Sequence, residues 1–144
     1  MDFDPENSIV KLCVRGMVLE MKCNNDAASA LFQQAWDEAA SDLEKFTAAH
    51  YIARHQETTA CKLEWDRTAL EFALKCSAHE TATVLPSLYL NVGKCYEDLG
   101  DPEAAMNNYK KALSFSNVLP DDDYVQMIRS GIENGIDRVT SVNE

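Results

Sequence analysis

The pattern Ala28-x3-Phe32-x2-Ala35-Trp36 returns as Asp66-x3-Leu70-x2-Ala73-Leu74, and again as Ala105-x3-Tyr109-x2-Ala112-Leu113. Its third members, Ala35, Ala73 and Ala112, are spaced by 38 and 39 residues. A chain that repeats at such an interval builds a stack of similar supersecondary units and buries apolar surface between neighbours. Stacks of this kind present extended surfaces to other molecules.

Helical spacing dominates throughout, and no stretch alternates as a strand would. The first helix is expected to begin at Asp4-Pro5, with Asp as cap and Pro preset for the first turn. Its apolar positions Ile9, Leu12, Cys13, Gly16 and Leu19 recur every three or four residues. Asn24-Asn25-Asp26 breaks it, and a second helix runs to about Ala40. Ser41-Asp42-Leu43-Glu44 is a capping box that opens a third helix carrying Phe46, Ala49, Ile52 and Ala53. The fourth covers roughly Leu63 to Cys76. The fifth accepts Pro86 in its first turn and ends at Gly100, and Asp101-Pro102-Glu103 starts the sixth. Pro120 stops that helix. Asp121-Asp122-Asp123 opens a seventh, with Tyr124, Ile128, Ile132, Ile136 and Val139 on one stripe. The expected fold class is all-α, seven helices joined by short turns.

At 144 residues, 46% of them apolar, the chain reads as one domain with a real core, spanning 1–144. Its net charge of −11 repels phosphate backbones, and the 13 Lys and Arg are scattered apart from Lys110-Lys111, so no nucleic acid is expected as a partner. No run approaches the roughly 18 apolar residues of a membrane span, so no membrane is expected either. The acidic start Met1-Asp2-Phe3-Asp4-Pro5-Glu6 lacks the basic and apolar regions of a signal peptide, and the expected localisation is cytoplasmic. Cysteines 13, 23, 61, 76 and 95 are odd in number, form no CxxC pair, and read as small hydrophobes kept reduced.

The segment Tyr89-x2-Val92-Gly93-x2-Tyr96, followed by Ala105-x3-Tyr109, Ala112 and Pro120, resembles the tetratricopeptide repeat. Gly16 to Ala28 reproduces the 12-residue step from Gly93 to Ala105, with Leu19, Phe32 and Ala35 in place. The middle unit departs, with Ala53 or Arg54 at the glycine position and Asp66 at the alanine position. The resemblance implies an α-α superhelix of three hairpins, about 5–40, 41–78 and 81–117, closed by a capping helix over 121–141. Small residues let paired helices approach, and the aromatic fills the space between them.

In such proteins the first helix of each hairpin lines a concave groove that binds a peptide or partner segment. By register, the groove-facing residues are Cys13, Met17 and Glu20, then His50, Arg54 and Glu57, then Leu90, Asn91, Lys94 and Glu97. His50, Arg54, Asn91 and Lys94 would form a locally basic wall able to hold a carboxylate and clamp peptide backbone. The alternative is that Arg54 and Lys94 pair with Glu57 and Glu97, three residues on along each helix. Trp36 and Trp65 read as packing between hairpins, and Gly131 with Gly135 as permitting close approach to the last hairpin or dimerisation.

No catalytic constellation is legible. The sequence has no GxGxxG, phosphate loop or GxSxG, and no cofactor is implied. His50 and His55 are five apart and His79 is isolated, so no metal site is expected. The expected function is therefore a non-enzymatic interaction module that binds a protein or peptide in its groove, as a monomer or weak homodimer. The alternative is a self-associating scaffold or regulatory subunit docking through its convex face or last helix.

Overall fold

A computed structural model of the protein describes residues 4–142. Among them are eight helices and no strand: α1 (Ser8–Met21), α2 (Asn25–Glu38), α3 (Asp42–Ala53), α4 (Thr59–Lys75), α5 (Ala78–Thr81), α6 (Leu85–Asp98), α7 (Pro102–Ser116) and α8 (Asp123–Val142). The fold is thus the expected all-α helical repeat type. The four-residue α5 is the helix beyond the seven expected; it is too short to carry a periodic apolar signal. The chain divides into two compact units, Asp2–Ser77 and Ala78–Glu144.

In the N-terminal unit, α1 starts at Ser8 rather than at Asp4-Pro5. Asp4 and Pro5 form a turn closed by the Asn7 amide on the Asp4 carbonyl at 3.0 Å. Asn7 is the cap, its Oδ1 accepting from the amides of Ile9 at 2.8 Å and Val10 at 3.1 Å. A side chain that satisfies two orphan amides at once outcompetes the Asp-Pro start. The capping box of α3 forms as read, with Glu44 N donating to Ser41 Oγ and Ser41 N donating to Glu44 Oε1, each at 3.1 Å. Asn7 Nδ2 also donates to Glu44 Oε2 at 2.8 Å, so one residue joins the starts of α1 and α3.

The core between α1, α2 and α3 is built on Ile9, Leu12, Cys13, Ala28, Phe32, Ala35, Ala48 and Ile52. Phe32 is fully buried and lies directly on Gly16, where a methyl group would collide with its ring. Trp36 meets Trp65 edge-on at 5.1 Å and Phe72 at 5.9 Å, so the tryptophans do pack between hairpins. In α4 the repeated pattern survives with a change. Asp66 is 2% exposed at the site where Ala28 and Ala105 lie, and Lys62 reaches its carboxylate at 2.5 Å. A buried charge in that position is tolerable because it is paired within its own helix. Ala69 and Ala73 are fully buried there, and Leu74 is 52% exposed.

In the C-terminal unit, Tyr109 of α7 is fully buried between two glycines. A Cβ on Gly93 of α6 would stand 2.7 Å from its ring, and one on Gly135 of α8 would stand 2.6 Å from it. Gly131 likewise faces Leu90, so the two glycines of α8 serve close packing on the α6–α7 hairpin. Gly100 ends α6 at φ +81°, the left-handed position that favours glycine. Asp101 Oδ1 then accepts from Ala104 N and starts α7, while Asp122 Oδ1 accepts from Val125 N at the start of α8. Arg129 of α8 donates to the Ser116 carbonyl at the end of α7 at 3.3 Å.

Because the Phe32 and Tyr109 rings are locked on all sides, Gly16→Ala and Gly135→Ala each force a rigid aromatic to shift. Each substitution is expected to lower stability by about 1–3 kcal/mol, read as a decrease in the urea unfolding midpoint. Ala→Gly controls at the exposed position Ala60 should lose no more than about 1 kcal/mol.

Candidate functional site

The N-terminal unit carries a groove of about 660 Å³ lined by Pro5, Val10, Lys11, Cys13, Val14, Arg15, Met17, Thr47 and Tyr51. Its wall is α1. Val10, Val14 and Met17 stand one helical turn apart on one face, with Val14 52% and Met17 38% exposed. The same stripe continues through Val18 and Met21, 44% and 84% exposed. Helix α1 is therefore apolar on two faces: Ile9, Leu12, Cys13 and Gly16 enter the core, and this second stripe meets solvent.

The floor comes from α3. Tyr51 stacks on Phe32 with ring centroids 5.0 Å apart, which fixes its orientation from behind. Thr47 is buried and its hydroxyl donates to the Leu43 carbonyl at 2.8 Å, so it offers the groove little polarity. Burial pushes the Cys13 thiol up to about 11, leaving it a protonated, unreactive part of the lining.

Beside the groove, Glu20 meets Arg54 and His55. His55 Nε2 lies 2.7 Å from Glu20 Oε2, and Arg54 Nη1 lies 3.8 Å from Glu20 Oε1. The Arg54 guanidinium also sits over the Tyr51 ring, 5.2 Å from its centroid. Arg54 thus pairs with Glu20 across helices, whereas Glu57, its expected neighbour on the same helix, is exposed past the end of α3. His50 is largely enclosed, edge-on to Tyr51 at 5.3 Å, with a buried Nδ1 that has no hydrogen-bond partner. Burial, then the Arg54 charge, hold its pKa below the usual histidine value.

The remaining expected site residues lie on α6. Lys94 Nζ is 2.6 Å from Asp98 and 4.0 Å from Glu97. Leu90 faces α8, and Asn91 is half-buried. Glu97 accepts from Tyr109 Oη at 2.7 Å and from Arg138 Nε and Nη2 of α8 at 2.8 and 3.1 Å. Those bonds, Arg138's first, lower its pKa. His50 and Arg54 therefore stand in one unit and Asn91 and Lys94 in the other, with Arg54 and Lys94 each paired to a local carboxylate.

The apolar stripe Val10, Val14, Val18 and Met21 was missed, Met17 excepted. Its signal is present in the sequence as a second set of apolar residues at steps of four and three, offset by one residue from the core set. Of the cysteines, Cys13 and Cys95 are buried as expected, but Cys23 and Cys61 are exposed. Among the described residues no cluster of His, Cys, Asp or Glu could hold a metal ion, and no helix is long and apolar enough to cross a membrane.

Residues 86–118, the α6–α7 hairpin, match the family model of the tetratricopeptide repeat. Such repeats generally mediate protein–protein interaction. Comparison with curated proteins and with solved structures found no match.

His50 and the two bonded glutamates set a definite pH dependence. Because the folded pKa of His50 is lowered, the unfolded chain takes up its proton first. Stability contributed by neutral His50 is therefore lost as pH falls below about 6.5. The lowered pKa values of Glu44 and Glu97 give stability that is complete above about 4.3 and lost on further acidification through the folded values. Urea midpoints measured from pH 7.5 to 3.5 should fall in these two stages, and His50→Leu should flatten the upper one.

Proposed function

We propose that the protein is a non-catalytic interaction module of one domain, with three tetratricopeptide-type hairpins, α1–α2, α3–α4 and α6–α7, closed by α8. A partner segment docks in the groove of α1 and α3. Two correspondences support the repeat assignment. Gly16, Glu20, Ala28, Phe32 and Ala35 recur with the same spacing as Gly93, Glu97, Ala105, Tyr109 and Ala112. The chain that follows each hairpin also brings a basic side chain to its glutamate, His55 just past the end of α3 to Glu20 and Arg138 of α8 to Glu97. Helix α8 thus occupies against its hairpin the role that α3 takes against α1 and α2, and behaves as the cap of the array.

The docking assignment is carried by one observation: solvent-facing Val14 and Met17 beside a Tyr51 floor, in a concave groove. Contiguous exposed apolar surface within a concavity is characteristic of interaction sites. The polar groups of a carboxylate-binding wall, Arg54 and Lys94, are occupied by Glu20 and by Asp98. Apolar contact therefore supplies most of the affinity, and Arg54 is the rim residue available to exchange partners.

Selection from a displayed peptide library on the immobilised protein, followed by amide chemical-shift mapping, checks this reading. Bound ligands should perturb Val10, Val14, Met17 and Tyr51. Val14→Asp or Met17→Asp should weaken them at least tenfold with the melting temperature retained. Failure to enrich any ligand, or shifts confined to α8, would overturn it.

A further inference from the structure

We infer that the occupant of the α1 face is an acidic amphipathic helix of a partner protein, a conclusion that rests on the docking reading above. The stripe Val10, Val14, Met17, Met21 advances by four, three and four residues, with Val18 beside it. That average of about 3.7 residues, close to the helical period, keeps the stripe on one face of α1, where it can receive the apolar side chains of another helix. The groove also lacks what an extended peptide needs. Its Thr47 hydroxyl is bonded to Leu43 O and its Cys13 thiol is buried. Lys11, Arg15 and the Tyr51 hydroxyl can donate to peptide carbonyls, but the Tyr51 oxygen is the acceptor left among these polar lining groups, so most peptide amides laid there would lose water without replacement. A helix satisfies its own backbone and asks only for apolar contact.

Charge then selects the partner. The single acid of α1 is Glu20, and it is turned away to His55 and Arg54. Lys11 holds Glu6 in an exposed pair at 3.3 Å, and Arg15 and Lys22 are exposed with no carboxylate partner among the described residues. In a chain of net charge −11, this helix turns a positive rim to solvent. Pairing α1 with α1 of a second copy would set these cations against one another. Helix α8 of a second copy offers no matching seam, because its Val125, Ile132 and Val139 are buried and Tyr124 and Met127 are its exposed large apolar side chains. Acidic side chains flanking an apolar stripe complement the α1 face in both respects.

The test uses three synthetic helical peptides of equal length and measures anisotropy at low and physiological salt. The first has one apolar stripe flanked by Glu. The second has the same stripe flanked by Lys. The third has the Glu composition with the apolar residues dispersed around the helix. The first should bind at least tenfold tighter than the second, weaken with salt, and gain helical circular dichroism on binding, while the third should not bind. Arg15→Glu should reverse the preference between the first two, and Val14→Asp should abolish binding of the first.

Equal binding of the first two peptides, or indifference to Arg15→Glu, would overturn the acidic partner while leaving the docking site standing if Val14→Asp still abolished binding. Binding that survives Val14→Asp would overturn the docking site itself. Absence of binding by all three would overturn the helical occupant, and the displayed-library ligands would then report on the groove separately. Sedimentation equilibrium showing a dimer that Val14→Asp dissociates would assign the face to a second copy and overturn the proposal.

Discussion

An aromatic ring seated on a glycine is the contact on which the rest of this structure depends. Phe32 on Gly16, and Tyr109 on Gly93 and Gly135, set how closely adjacent helices approach. With the rings in place, Ala28 and Ala35, and likewise Ala105 and Ala112, are sealed completely from solvent. Each ring then supports something further out. Phe32 carries Tyr51 and His55 stacked on it at 5.0 and 5.7 Å, and Tyr109 delivers its hydroxyl to Glu97.

The glutamate one turn beyond each glycine converts this packing into an electrostatic closure. Glu20 and Glu97 are each a single, mostly enclosed carboxylate approached by basic side chains from later in the chain, Arg54 and His55 just past α3 and Arg138 of α8. For the groove the result is indirect but decisive. Because Glu20 turns to Arg54 and His55, no carboxylate of α1 meets Arg15 and Lys22 on its outer side, and Tyr51 forms the floor. The character of the surface follows from where one acid points.

Most of the architecture is legible in the sequence, because small-x3-aromatic-x2-small motifs, capping boxes and Gly-Asp-Pro turns act locally. Ser41 with Glu44 and Asp101 with Ala104 behave as their spacing implies. The start of α1 was not legible in this way, since Asp4-Pro5 and Asn7 are both competent caps by residue type, and the two amides that Asn7 satisfies together with its contact to distant Glu44 favour the latter. The site was legible in part. Met17 could be placed on the open face by register, but the partners of Arg54 could not be found along its own helix. Glu20 is far from it in sequence, and pairings across helices leave no periodic trace. The second apolar stripe of α1 was overshadowed by the first, since a helix with two apolar faces looks merely hydrophobic when only its core face is sought.

The bridge from Asn7 to Glu44 has a consequence for the α1 face. The residue that caps α1 has its amide nitrogen held by the capping box of α3, so the first turn of α1 cannot fray without also loosening the start of α3. Helix ends are ordinarily the softest part of a helix. Here the end that carries Val10 is stiffened by a neighbour, and the surface offered to a partner is already ordered before contact. Association then immobilises the incoming segment alone, which keeps a small face of this kind within reach of useful affinity.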